Sequence, residues 1–201
     1  MFIFNGESLQ NRLAAISPPC RRIFALSCAE RLFPLYQLFS RRVVHAAPNL
    51  LHSTLDHLWE LTFRGEATNQ EPFLSKYESL IPGENAEWTP LNPLVENAVA
   101  ALAYACLSSE AENARWAAVQ SYEAVDYIAH TLERIDFGGA ETETTILDSE
   151  YVQGEINRQL RDITELELIF NENKGIETVV NTFRNRAKSE GELLVPVAAR
   201  L

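Results

Sequence analysis

Residues 20–42, CRRIFALSCAERLFPLYQLFSRR, decide how this chain folds. At about 100° per residue, Ser27, Glu30, Arg31, Gln37 and Arg41 fall in one narrow strip, with Pro34 beside them. Ile23, Phe24, Leu26, Cys28, Leu32, Phe33, Leu35, Tyr36, Leu38 and Phe39 take up the other faces. A helix that is apolar round most of its circumference must be buried on several sides. The stretch therefore predicts a central helix with the rest of the chain wrapped around it. Pro34 has no backbone donor, and its ring opposes the carbonyl of residue 30, so a kink is expected there. Pro18 sits where a first-turn proline is tolerated, with Ser17 as N-cap.

Working outward, the pattern is helical throughout. Leu9, Leu13 and Ile16 share a face before Ser17-Pro18-Pro19. Asn49 to Arg64 forms the next helix, closed by Gly65. A shorter helix is predicted from Asn69 or Gln70 to Ile81, ended by Pro82-Gly83. An alanine-rich helix follows over 92–107, and a long one over 110–136. In the latter, Ala114, Ala118, Ser121, Val125, Ile128, Leu132 and Ile135 alternate steps of four and three. That rhythm is an inter-helix seam, within a bundle or between subunits. Residues 138–148, rich in Gly, Thr and acids, read as a mobile linker. Helices over 149–171 and 175–189 follow, and 191–201 is an apolar, Pro-broken tail. The prediction is an all-α, single-domain bundle of about seven or eight helices.

The pattern FALSCAERLFPLYQLF, Phe24 to Phe39, resembles an uncharacterised bacterial family typified by YjaG. Its Cys, Glu-Arg, Pro-x-Tyr and later Phe stand here as Cys28, Glu30-Arg31, Pro34-x-Tyr36 and Phe39. Leu55 to Glu60 matches a following Leu-x-x-Trp-Glu element loosely. The resemblance implies an all-helical, cytosolic bacterial domain and no particular activity.

Composition narrows the function classes. The 201 residues carry a net charge of −11. Residues 1–64 hold seven Arg, no Lys and four acids, whereas 65–201 hold ten basic and 24 acidic residues. This balance speaks against nucleic-acid binding, because the phosphate backbone needs a basic footprint. No apolar run approaches the roughly 20 residues that span a bilayer. The opening MFIFNGESLQNRL does not read as a signal peptide. Three scattered cysteines, Cys20, Cys28 and Cys106, fit free thiols in a reducing compartment. Cys20, next to Arg21 and Arg22, is the one with any electropositive setting. A cytoplasmic protein is expected.

Candidate sites are few. His52, Asp56 and Glu60 place three ligand types on one helix face. That face points away from the apolar centre of Leu51, Leu55, Leu58 and Leu61, so a solvated ladder with a His–Asp contact is the simpler expectation. Asp126 and His130, with Glu123 and Glu133, also point away from their seam, and no Glu-x-x-His is present. A metal site would require these two polar faces to meet. Glu30 and Arg31 lie on the most buried helix, where charges need partners. An ion pair that fixes register is expected, with Arg22 or another helix serving Glu30. The ligand reading is a small polar pocket at Pro34, using Glu30, Arg31 and the Tyr36 hydroxyl. Trp59, Trp88 and Trp116 read as core or inter-helix contacts. There is no nucleophile elbow, phosphate loop or dinucleotide motif, and no cofactor is implied. The expected role is a non-enzymatic binding or protein-interaction module, self-associating through the 114–135 seam or the tail. A helical enzyme or binder holding a metal or small ligand is the alternative.

Overall fold

The computed structural model describes residues 2–41, 47–66, 74–82, 87–135, 142–172 and 175–201. Among them every regular element is helical. They are α1 (Gly6–Ala15), α2 (Pro18–Ser40), α3 (Pro48–Arg64), α4 (Asn92–Cys106), α5 (Ala111–Glu133), α6 (Thr142–Asp148), α7 (Glu150–Asn171), α8 (Glu177–Glu192) and a closing turn, α9 (Val195–Ala198). A 3₁₀ turn spans Tyr77–Leu80. The all-α bundle expected from the sequence is what forms.

Local chemistry sets the helix ends. The Asn5 side chain accepts the Ser8 amide at 2.8 Å and starts α1. Pro18 and Pro48 occupy the first turns of α2 and α3, where a missing N–H costs nothing. Ser17 precedes α2 but makes no side-chain cap bond. Gly65 adopts φ 67°, and the Glu66 amide reaches back to the Leu61 carbonyl, which closes α3.

α2 is the axis of the bundle. It is packed by α3, α4, α5, α7, α8 and α9. Every residue from Ile23 to Tyr36 is buried. The helix runs unbroken through Pro34. α4 and α5 approach α2 and each other through small buried side chains: Ala98, Ala101 and Ala105 on one, Ala114, Ala117, Ala118 and Ala124 on the other. α8 approaches α2 closely at a glycine. A Cβ added to Gly191 would lie 2.6 Å from the Arg31 carbonyl oxygen and 3.1 Å from its Cα. Glycine therefore continues α8 where it was expected to stop the helix.

Other expectations change as well. On the α5 seam Ala114, Ala118, Ser121, Val125 and Ile128 are buried, Leu132 and Ile135 are partly buried, and α5 packs on α1, α2, α4 and α7. Residues 142–148 of the expected linker form α6, with Ile146 buried, because Thr and acid-rich composition does not stop one apolar side chain from docking; 138–141 lie outside the described residues. The tail is ordered on its own chain, with Leu194 and Ala198 buried as α9 packs on α2 and α8. Of the helix predicted over 69–81, residues 69–73 lie outside the described residues, and its end is the 3₁₀ turn. Trp59 is buried, Trp116 stacks on Tyr104, but Trp88 is 66% exposed and belongs to no core.

Candidate functional site

Glu30 and Arg31 are adjacent in sequence and open onto different networks. Arg31 is fully buried. Its guanidinium donates to Asp162 at 2.8 Å, Glu155 at 3.1 Å and the Cys28 sulfur at 3.3 Å, and lies 3.5 Å from Glu190. Burial works to lower its pKa, but the facing Glu155, Cys28, Asp162 and Glu190 outweigh that, and the pKa is raised.

The carboxylates are held in turn. Glu155 accepts from Ser121 at 2.7 Å and Gln159 at 2.9 Å, with Arg158 at 3.7 Å. Asp162 accepts from Arg161 at 2.8 Å and Arg186 at 2.9 Å. Arg161 also pairs with Glu190 at 2.7 Å, and Arg186 with Glu165 at 2.8 Å. Four cations thus face four carboxylates across α2, α7 and α8, so the cluster is neutral within itself. It bridges three helices, and a shift of any of them would strand a charge in the core.

Glu30 points to the α3 and α8 side. It accepts from the Trp59 indole at 2.7 Å and lies 3.7 Å from Arg184. Desolvation raises its pKa above the ordinary glutamate value, opposed by Arg184, Trp59 and Lys188. Of the two sources expected for a Glu30 partner, other helices supply it, while Arg22 donates to the Glu66 carbonyl. The Tyr36 hydroxyl donates to the Leu80 carbonyl and accepts the Ala47 amide, both at 3.3 Å. It ties two loops to α2, and both of its roles are taken.

The two metal-type clusters remain separate. His52, Asp56 and Glu60 are about half exposed. His52 lies 3.5 Å from Asp56 and stacks on Phe33, Asp56 pairs with Arg184, and Glu60 pairs with Arg64. His130 departs from the solvent-facing expectation: only 7% exposed, it uses Nδ1 to donate to the Ile135 carbonyl at 3.1 Å, capping α5 where Arg134 turns left-handed. Its Nε2 lies 3.7 Å from Asp126. Among the described residues no three His, Cys, Asp or Glu side chains gather as a metal site. The three cysteines are buried and unpaired, and burial raises each thiol, Cys106 to about 12. That setting removes Cys20 from consideration as a reactive thiolate.

The sequence reading missed Glu155, Gln159, Asp162 and Glu190. A signal for the first three was present. They interleave with Val152, Ile156, Ile163 and Leu166 on the buried stripe of α7, and polar residues on such a stripe announce a buried network. Glu190 sits one residue from the helix contact at Gly191, which only the packing reveals.

Concave space lies elsewhere, at the periphery. A cleft of about 190 Å³ is bounded by residues 2–5, α1 and α7, with Phe4, Leu9, Ile156 and Leu160 among its walls. A shallower groove is lined by Trp59, Phe63, Val180 and Arg184 between α3 and α8. Another lies along α4 at Tyr77 and Tyr104.

No helix of the described residues is long and apolar enough to cross a membrane. Comparison with functionally curated proteins gives no match. The fold is similar to the crystal structure of a DUF416 family protein from Shewanella baltica OS155, with a TM-score of 0.77 over 90% of this chain and 93% of that one. Identity between the two is 20%, so this likeness speaks for the fold. The family described as "Protein of unknown function (DUF416)" matches residues 8–192, and the chain belongs to it.

Proposed function

We propose that this protein, a cytosolic relative of the YjaG-like chains, acts by binding rather than by catalysis, with the Arg31 cluster as its framework. One observation carries the reading: Glu155 and Asp162 lie in the core against the Arg31 guanidinium. Glu155 and Asp162 are at most 1% exposed and engaged by cations, so neither meets a substrate. A general acid or base must come within hydrogen-bond reach of the atom it serves. The concave surfaces lie at the periphery and are not lined by these acids, and two of them are mainly apolar. Free, buried thiols agree with a reducing compartment.

The discriminating experiment combines native mass spectrometry of protein purified under mild conditions with turnover assays on chromogenic ester, phosphate and peptide substrates. The reading expects a stoichiometric, non-covalent companion and no turnover above buffer. Turnover that Glu155→Gln or Asp162→Asn abolishes, with the fold intact, would overturn it.

A further inference from the structure

We propose that the strap of residues 2–5 is an exchangeable occupant of a peptide seat on α5 and α7, and that the seat's partner is an extended segment of another protein with an aromatic side chain two residues after the one it clasps. This deepens the binding role above and rests on it. The chain's own strap shows how the seat holds its occupant. Phe2, Ile3 and Phe4 form no regular element, and Asn5 continues them in extended backbone, with φ −120° and ψ 95°, up to the start of α1. Gln153 of α7 clasps the backbone of Phe2, accepting from its N–H at 2.8 Å and donating to its carbonyl at 2.7 Å. In extended backbone one residue turns both groups to the same side, so the Gln153 amide stands where a neighbouring strand would pair. Two residues on, the Phe4 ring stacks on Tyr122 of α5, with centroids 4.7 Å apart and planes inclined by 20°.

What the seat reads defines the partner. The clasp addresses main chain, which every residue has, and the stack addresses one aromatic ring. Extended peptides are recognised in this way, main-chain hydrogen bonds giving affinity and side-chain contacts giving specificity. The first two side chains are left outside: Phe2 is 52% and Ile3 66% exposed. The strap is also lightly held. Among the described residues no backbone–backbone hydrogen bond joins Phe2, Ile3 or Phe4 to the rest of the chain. α1 has its own anchors, since Asn5 caps it, Arg12 donates to Glu167 at 2.7 and 2.8 Å, and the helix packs on α5. The strap can therefore leave without unseating the helix. Leu9 and Ile156, both buried, line the cleft of about 190 Å³ that the strap walls without filling. A tethered segment competes at a roughly millimolar effective concentration, so the strap keeps the seat until a better-matched segment displaces it.

The probe is a synthetic peptide, FIFNGE, acetylated and amidated, with a control peptide that has alanine at its third position. Binding is followed by NMR of the Gln153 side-chain amide and the Ile156 methyls in the full chain. In Phe4→Ala the strap loses its anchor while Gln153 and Tyr122 remain, and FIFNGE is expected to bind at least about ten-fold more tightly than to wild type. The control peptide is expected to bind about ten-fold more weakly than FIFNGE, and adding Gln153→Ala should remove binding. Absence of saturable shifts in Phe4→Ala, equal affinity for wild type and Phe4→Ala, or equal affinity for the two peptides overturns the proposal. Hydrogen exchange on wild type needs no variant to fold: the Phe2 amide should exchange at least about 100-fold faster than the buried amides of α7, and equal protection would mean that the strap never leaves. Light scattering should give wild type a monomer's mass; a dimer that Phe4→Ala dissociates would put a second copy in the seat and overturn the partner named. Failure of the peptide leaves the binding role to the other grooves, whereas carboxylate-dependent turnover refutes that role and leaves peptide exchange at the seat untouched.

Discussion

Replacing Arg31 by Met tests whether the central cluster holds the helices together. Met has similar bulk and no charge, so packing on α2 is largely kept. The carboxylates are affected unequally. Asp162 retains Arg161 at 2.8 Å and Arg186 at 2.9 Å. Glu155 retains only neutral donors, Ser121 and Gln159, with Arg158 at 3.7 Å and one oxygen without a hydrogen bond. The stranded charge is therefore Glu155. Breaking a buried pair from one side costs about 3–5 kcal/mol, a large part of the roughly 5–15 kcal/mol that keeps a domain folded. For a chain of this length that is a fall in Tm of roughly 6–20 °C. Adding Glu155→Gln to Arg31→Met removes the stranded charge and should recover at least about 2 kcal/mol. Urea denaturation of wild type, the two single variants and the double variant measures the coupling, with an unchanged m value as the check on two-state behaviour. A loss below about 1 kcal/mol for Arg31→Met, or no recovery in the double variant, would refute the assignment of Glu155 as the dependent charge.

Gly191→Ala sets two effects against each other: helix propensity favours Ala by about 1 kcal/mol, whereas the methyl meets the Arg31 backbone at 2.6 Å and overpacking costs about 1–3 kcal/mol. Because backbone cannot rotate away, a net loss is expected by thermal unfolding, and a stabilised variant would contradict the close contact. Glu30→Gln keeps an acceptor for Trp59 and removes the ionisation. Since the folded state raises the Glu30 pKa, it binds the proton more tightly than the unfolded chain, so wild type loses stability as pH rises from the ordinary glutamate range through the raised value. Chemical denaturation from pH 4 to 7 should show Glu30→Gln gaining on wild type toward neutral pH; a gain toward acid pH would mean that Arg184 dominates. Ala118→Leu should lower stability by about 1–3 kcal/mol by overpacking the internal seam, with the solution mass by light scattering unchanged; a change of oligomeric state would mean that the seam faces a partner after all.

The fold was legible because the hydrophobic period of each helix carries it. Leu9, Leu13 and Ile16 read as one face and are all buried. The same period misleads where a buried face contains polar residues. His130 was assigned to solvent by its angle from Val125 and Ile128, yet it lies in the last turn of α5, where the chain turns at Arg134 and the Ile135 carbonyl meets the imidazole. The partners of Glu30 and Arg31 were beyond reach for another reason. Cys28 apart, they come from residues 29 to 159 positions away, and a single helix pattern says which face is buried but not what it meets. The strip of Ser27, Glu30 and Arg31 still contained the decisive fact. It placed charges inside the core, and a charge there requires opposite charges from other elements. Searching the remaining amphipathic stripes for interrupting acids would have led to Glu155 and Asp162 on α7. The most buried helix thus dictates the polar pattern of its neighbours, and the lasting mark of that constraint is a stripe that looks imperfect.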